Sequence, residues 1–534
     1  MQDQKRMSIG SYVALAAFSA LAAFGCNGSQ PSSGNSALAA SAAAQTSGGG
    51  GGLAPLASAA VPQPAGGDIV DDAAAIRLGK ALFWDVQAGS DGQVACATCH
   101  FHAGADNRRL NTLHPGPNGV FESGGVTSAG QLFPAVNIDS DDRVGSQGVL
   151  STTFHAVATD ITIAADVCDS NLDPIFGAHR LVTGRQAPSA VAAVFNRDNF
   201  WDGRGNHQFN RANPFGATTS PGPFVENASL ASQAVGPPLS GTEMSCAGRT
   251  FNGPNSLGAK MMARPPLQFQ LVSPTDSVLG ALSAWPSPGL TASYSDLVAA
   301  AFGPAAAAAA VETFSSIWGQ AIQAYEATLI PDRTPLDRFL GGDKTALTSS
   351  QQRGLGVFTG KGSCNKCHAG PEMTDASVSF AARNGLVNED GGDQGFHNLG
   401  VRPTDEDLGR AGNGPAGSFS VSGAASDHGA FKTPALRNVG LTAPYFHNGG
   451  KATLADVVDF YSRGGDFPNL EKAKRIKPLN LASGDKATLV DFLANGLTDC
   501  RTAMDAAPFD HPSIDLPNGD SLSASGAAGN GPCP

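Results

Sequence analysis

Cysteine, two intervening residues, cysteine and histidine occur twice in this chain, as Cys96-Ala97-Thr98-Cys99-His100 and as Cys364-Asn365-Lys366-Cys367-His368. Two thiols at that spacing can form thioether bonds to the two vinyl groups of one porphyrin, and the next histidine then lies beneath the iron. Zinc sites built on Cys-x-x-Cys need a second ligand pair and have no fixed trailing histidine. A thioredoxin-like site lacks that histidine and sits in a βαβ context. With 9 Cys and 11 His in 534 residues, roughly 0.003 chance matches are expected per chain. Two matches therefore point to two covalently attached haems, with His100 and His368 as proximal ligands. The group opposite each histidine then decides the chemistry. An iron with two strong protein ligands transfers electrons, and one with an open position reacts with peroxide or oxygen.

The surrounding sequence sets the context for those motifs. Lys5 and Arg6 precede a short apolar stretch from Tyr12 to Phe24, the pattern of an export signal. That stretch is too short to span a bilayer comfortably. It ends at Ala23-Phe24-Gly25-Cys26, which resembles a bacterial lipoprotein cleavage site except that Ala23 stands where leucine is usual. A periplasmic or exported location follows, with lipid anchoring through Cys26 and plain secretion both open. Residues 27–67 are Ser, Ala, Gly and Pro with almost no charge, including the run Gly48 to Gly52, and read as a flexible tether. Four cysteines remain: Cys168, Cys246, Cys500 and Cys533. In an oxidising compartment they allow two disulfides in three connectivities; proximity favours pairing 168 with 246 and 500 with 533, and free thiols are the alternative. Net charge is −12, with 46 acidic against 34 basic residues. A chain without basic stripes argues against nucleic acid as a partner, and its acidity suits a basic redox partner.

Hydrophobic residues make up 41% of the chain, enough for globular cores. The pattern predicts a helix over 72–83, with Ile76, Leu78, Leu82 and Phe83 apolar, and mostly loop over 101–173. A short helix is expected at 229–234. A long one should open in the alanine run 305–310 and continue through Trp318, Ile322 and Tyr325 to about Leu329. Thr348 or Ser349 can cap the helix leading into the second haem motif. Thr453 with Asp456 makes a capping box for a helix whose Leu454, Val457, Val458 and Tyr461 share one face, closed by Gly464 and Gly465. Helices and long loops dominate and strands are few. The expected fold is mainly α, with two cytochrome c-like haem domains at 68–340 and 341–500 and a C-terminal tail at 501–534.

Several further motifs fall in order along the chain. They are Leu82-Phe83-Trp84-Asp85, Phe200-Trp201-Asp202-Gly203-Arg204, the segment SQAVGPPLSGTEM with Gln233 and Glu243, the segment FKTPALRNVGLTAPYFHNGG, and the Thr453 helix. From about Gly79 to Pro508 the chain resembles the bacterial diheme cytochrome c peroxidases, a family that includes the MauG-type enzymes. The resemblance implies that His100 serves a peroxide-reactive haem and His368 an electron-transfer haem. It makes Glu243 the acid–base group, Gln233 the distal amide and Trp201 the indole between the haems; Trp84 reads as packing. In the peroxidases a methionine fourteen residues after the histidine of the PYFH segment is the sixth ligand of the second haem. Counting from His447 lands on Tyr461, and MauG-type enzymes have tyrosine there. For the first haem the sixth position reads as open or displaceable. His179 lies one residue out of register with the family's displaceable histidine, while His102 and His114 read as loop histidines. The family's calcium site maps onto the carbonyls of Thr442 and Pro444, and Gln186 stands where an asparagine is usual.

Three functions follow from these readings. The first is a peroxidase that reduces hydrogen peroxide with electrons from a small donor such as cytochrome c. The second is a MauG-like oxidase that modifies a protein substrate by long-range electron transfer. The third is a non-enzymatic diheme electron carrier, against which Glu243 argues.

Overall fold

The computed structural model describes residues 52–121, 140–216, 219–412 and 421–533. The export signal, Cys26 and the tether up to Gly51 lie outside the described residues.

The helices form where capping and apolar spacing agree. Asp71 caps Asp72–Trp84 by accepting the Ala74 N–H, and Leu78, Leu82 and Phe83 are buried on that helix. Thr348 is the cap of Ser349–Thr359, in a reciprocal box with Gln351. Thr453 and Asp456 close the same box on Leu454–Arg463, which ends at Gly464 in a left-handed conformation (φ 88°). The alanine-rich helix is interrupted. Pro304–Ala308 and Ala310–Glu326 are separate pieces, and Thr313 within the second departs from helical angles. Thr313 Oγ1 donates back to the Ala309 carbonyl at 3.1 Å, a side-chain bond that competes with the helical ladder. The helix stops at Glu326, short of Leu329.

Among the described residues strands are few and short, in four two-stranded antiparallel ladders. The ladder of Thr152–Ala156 with Val167–Ser170 lies inside the region expected to be mostly loop, and the Cys168–Cys246 disulfide staples it. A second disulfide joins Cys500 to Cys533. Both pairings are those that sequence proximity favours.

Among the described residues two large hydrophobic cores result, with three smaller clusters beside them. The first is built on Asp72–Trp84, Tyr294–Phe302 and Ala310–Glu326, and the second gathers Phe358, Met373, Leu454, Val458, Leu489 and Phe492. Two stretches expected to lie outside the folded part join it. Leu56, in the predicted tether, is 1% exposed, and its N–H donates to Asp337 Oδ1 at 2.8 Å. Ala65 pairs with Glu226 as an isolated bridge. In the predicted tail, Phe509, Ile514 and Leu516 enter the first core, and His511 stacks on Trp84 with ring centroids 4.8 Å apart. Scattered apolar residues in a polar segment find a surface that linear composition does not reveal. No helix among the described residues is long and apolar enough to cross a membrane.

Candidate functional site

Each Cys-x-x-Cys-His segment opens onto its own cavity. Cys96, Cys99 and His100 line one of about 780 Å³. Cys364, Cys367 and His368 line another of about 460 Å³. All four motif cysteines are unpaired while the other described cysteines are bridged, so their thiols are free for thioether bonds. Nδ1 of His100 bonds the Gly104 carbonyl at 2.7 Å, and Nδ1 of His368 bonds the Pro434 carbonyl at 3.1 Å. A backbone acceptor on one ring nitrogen fixes the other as the metal-facing one. Gly104 has φ +76°, and a Cβ there would lie 2.7 Å from the Val191 nitrogen, so only glycine can bring that carbonyl under His100. These features fit a haem c in each cavity.

Opposite chemistries line the two. Gln233, from the helix Ser229–Ala234, and Glu243, from the loop after it, both face the first cavity with His100. The Glu243 loop is fixed on both sides: Ser90 N–H donates to the Met244 carbonyl, Cys246 N–H donates to Ser90 Oγ, both at 2.8 Å, and Cys246 is disulfide-bonded. Burial raises the Glu243 pKa above the usual carboxylate value, and the Arg204 guanidinium pulls it back. Arg204 lines the same cavity, its charge over the Phe200 ring at 4.1 Å and its Nη1 donating to Asp202 at 2.7 Å. Asp202 also accepts from Arg185; burial opposes its ionisation, but Arg204 and Arg185 hold its pKa down to about 2. Gly203, at φ +75°, passes where any Cβ would collide with Arg410 and Phe396, which explains the glycine of this motif.

In the second cavity Tyr461 lies with Val457, Val458 and Leu454 from its own helix, facing the Cys364 and Cys367 sulfurs. Burial, reinforced by those sulfurs, raises the phenol's pKa. No residue among those described hydrogen-bonds its hydroxyl. Such a group, aimed into a haem-sized cavity, fits an iron ligand.

Trp201 lines both cavities. Its indole N–H donates to the Gln186 carbonyl and its own carbonyl accepts the Lys432 N–H, each at 2.8 Å. The ring meets His447 edge-on at 6.5 Å.

Of the three histidines considered for the first haem's sixth position, only His114 lines the cavity. Burial and Arg143 lower its pKa to about 4, which keeps it neutral. His179 is exposed, and His102 is half-buried away from the cavity. Gln186 N–H donates to the His447 carbonyl at 2.8 Å, bringing its side chain near the segment that holds Thr442 and Pro444. Its Nε2 is spent on the Asp106 carbonyl.

Two residues at these cavities were missed in the sequence. Glu326 is 8% exposed, lines the first cavity without a partner for its carboxyl among the described residues, and burial pushes its pKa up to about 8. The signal was an acid four residues after Ile322 on the buried face of an apolar helix. Lys432 is 4% exposed in the second cavity, and burial lowers its pKa to about 8.

A family model described as di-haem cytochrome c peroxidase matches residues 73–345, just over half of the chain. Cytochrome-c peroxidase IdrP1 of Pseudomonas sp. (strain SCT) is 36% identical over 203 residues, which cover 34% of this chain and 52% of that protein. Methylamine utilization protein MauG of Methylorubrum extorquens is 32% identical over 174 residues, covering 32% of this chain and 42% of its own length. Cytochrome c551 peroxidase of Pseudomonas aeruginosa is 29% identical over 321 residues, covering 60% of this chain and 67% of its own length. The chain spans about half the length of the first curated relatives it matches.

Proposed function

The chain belongs to the di-haem cytochrome c peroxidase family, and from that premise we propose that it reduces hydrogen peroxide to water with electrons from a small donor such as cytochrome c. The observation that carries this reading is the meeting of Glu243, Gln233 and His100 in one cavity, with Trp201 between it and the second. Covalent haem, held by Cys96, Cys99 and His100 and by Cys364, Cys367 and His368, supplies iron that takes up and releases electrons. The carboxylate of Glu243 accepts a proton from one peroxide oxygen and returns it to the other as the O–O bond breaks; general acid–base help of this kind is worth ~10²–10⁴-fold. Gln233 orients the peroxide through its amide. Two electrons and two protons convert one peroxide to two waters, and the indole of Trp201 relays electrons from the second cavity. The first cavity, about 780 Å³ against about 460 Å³ for the second, is the roomier of the two, which suits a site that admits a small substrate as well as a haem.

A MauG-like oxidation of a protein substrate is the second reading, and Tyr461 favours it. Phenolate ligation lowers the second haem's potential relative to methionine and favours higher-valent iron. A carrier without enzyme activity has no use for a buried acid facing an open cavity. The haem domains are assigned to residues 68–340 and 341–500; the two large cores support that division except at its edges, where Leu336 joins the second core and Phe509 the first. Calcium held by Gln186, Thr442 and Pro444 belongs to the same reading, as do export and a lipid tether at Cys26.

The test is steady-state oxidation of reduced cytochrome c by peroxide. Two cytochromes oxidised per peroxide are expected, and no peroxide-dependent oxidation overturns the first reading. A peroxide-induced oxidised state that persists without donor, and is lost in Tyr461→Met, turns the assignment to the second.

A further inference from the structure

Lys432 lies on the strand Phe431–Lys432, paired with Phe396–His397 at the wall of the second cavity. Among the described residues its ammonium makes no hydrogen bond and no ion pair. The acid that acts on it, Asp375, attracts it without a hydrogen bond or ion pair; its Oδ2 lies 2.8 Å from His397 Nε2, and its Oδ1 is buried without a described hydrogen-bond partner. Glu389, an acid that lines the cavity, is paired with Arg475. An ammonium taken out of water costs several kcal/mol unless an anion meets it. No side chain described here pairs directly with the ammonium, which leaves it open to an anionic group on the cavity's own ligand.

We propose that Lys432 is the anion-binding residue of the second cavity, pairing with a propionate carboxylate of the haem attached at Cys364 and Cys367, and that its positive charge makes that haem easier to reduce. The proposal rests on the two-haem reading above. It also links two functions in one strand, because the Lys432 N–H that donates to the Trp201 carbonyl fixes the indole between the cavities. In the first cavity the arginines cannot play the same part as freely: Arg185 and Arg204 are already bound to Asp202, and Arg143 lies 3.5 Å from Asp407.

The experiment is spectroscopic potentiometry on the haem-loaded protein, with haem content measured first. Wild type carrying a single haem overturns the two-haem reading itself. With two haems present, Lys432→Met is expected to raise the oxidised-to-reduced ratio of the second haem at least tenfold at a fixed potential, a 59 mV fall for a one-electron couple. The first haem should stay put, and the propionate bending band in resonance Raman should move. Lys432→Arg keeps the charge and should keep the potential while displacing the band. Loss of only the second haem in Lys432→Met, with Lys432→Arg retaining it, also supports the pairing. Two haems with neither potential nor band altered in Lys432→Met overturn it, as does an equal fall in potential in both variants.

Discussion

Among the described groups that line the cavity around His100 are two carboxyls without an ion pair, Glu243 and Glu326, whereas those around His368 include a buried lysine without one, Lys432, and the phenol of Tyr461. The attachment motifs are alike, and in both a backbone carbonyl orients the histidine. The difference lies in what each wall can do with a proton or a charge. Burial raises the proton affinity of both carboxyls of the first cavity, pushing Glu326 up to about 8, while Arg204 pulls Glu243 back. The second cavity places Lys432, proposed above to hold a propionate, and Tyr461, proposed as an iron ligand, in a smaller space. The same prosthetic group is thereby given proton-moving neighbours in one place and potential-setting neighbours in the other.

The largest expected effect that tests this contrast is on Glu243. Glu243→Gln keeps the shape and removes the base, and peroxide turnover should fall ~10²–10⁴-fold while haem content is unchanged. Unchanged turnover would remove the acid–base role from the first cavity. Glu326 bears on stability. Its folded pKa of about 8 lies above the ordinary glutamate value of 4.5, so the native state binds more protons between those values. Its contribution is therefore complete below about pH 4.5 and is lost as pH rises through 8, on the order of a few kcal/mol. Denaturant unfolding of Glu326→Gln across that range should show a correspondingly flatter decline; parallel curves would mean the carboxyl is not buried in the native protein. In the second cavity, Tyr461→Met should raise the second haem's potential by on the order of 100 mV, within the ~0.8 V that axial ligands span. Potentiometry showing no shift would exclude Tyr461 as a ligand. The smallest effect concerns Arg204. The Glu243 carboxylate is lost as pH falls through its raised pKa, so turnover drops on the acid side. Arg204→Gln removes the guanidinium that pulls that pKa down, and the acid limb should move upward by roughly one unit, tenfold on that limb. A limb that stays in place breaks the Arg204–Glu243 link.

Much of the local structure was legible because its causes are local. The capping box at Thr453 depends on residues three apart and forms as the spacing predicts, and of the two candidate caps Thr348 and Ser349 the structure uses Thr348. The interruption at Ala309 was hidden, since it depends on which side-chain bond Thr313 prefers. The packing of Leu56 and of Phe509, Ile514 and Leu516 was hidden for another reason: their partners lie hundreds of residues away. His114 rather than His179 faces the first cavity, a choice made by loop paths that carry little periodic signal.

By itself the sequence determined that two Cys-x-x-Cys-His segments exist, which histidines follow them, and that Glu243, Gln233, Trp201 and Tyr461 stand in a family's order. Those are matters of covalent spacing and residue type. The tertiary structure alone decided that Glu243 and Gln233 share the cavity of His100, that Trp201 borders both cavities, and that Glu326 and Lys432 are buried without partners. Proton affinity and ion pairing depend on the distance to water and to opposite charge, which a linear order does not contain.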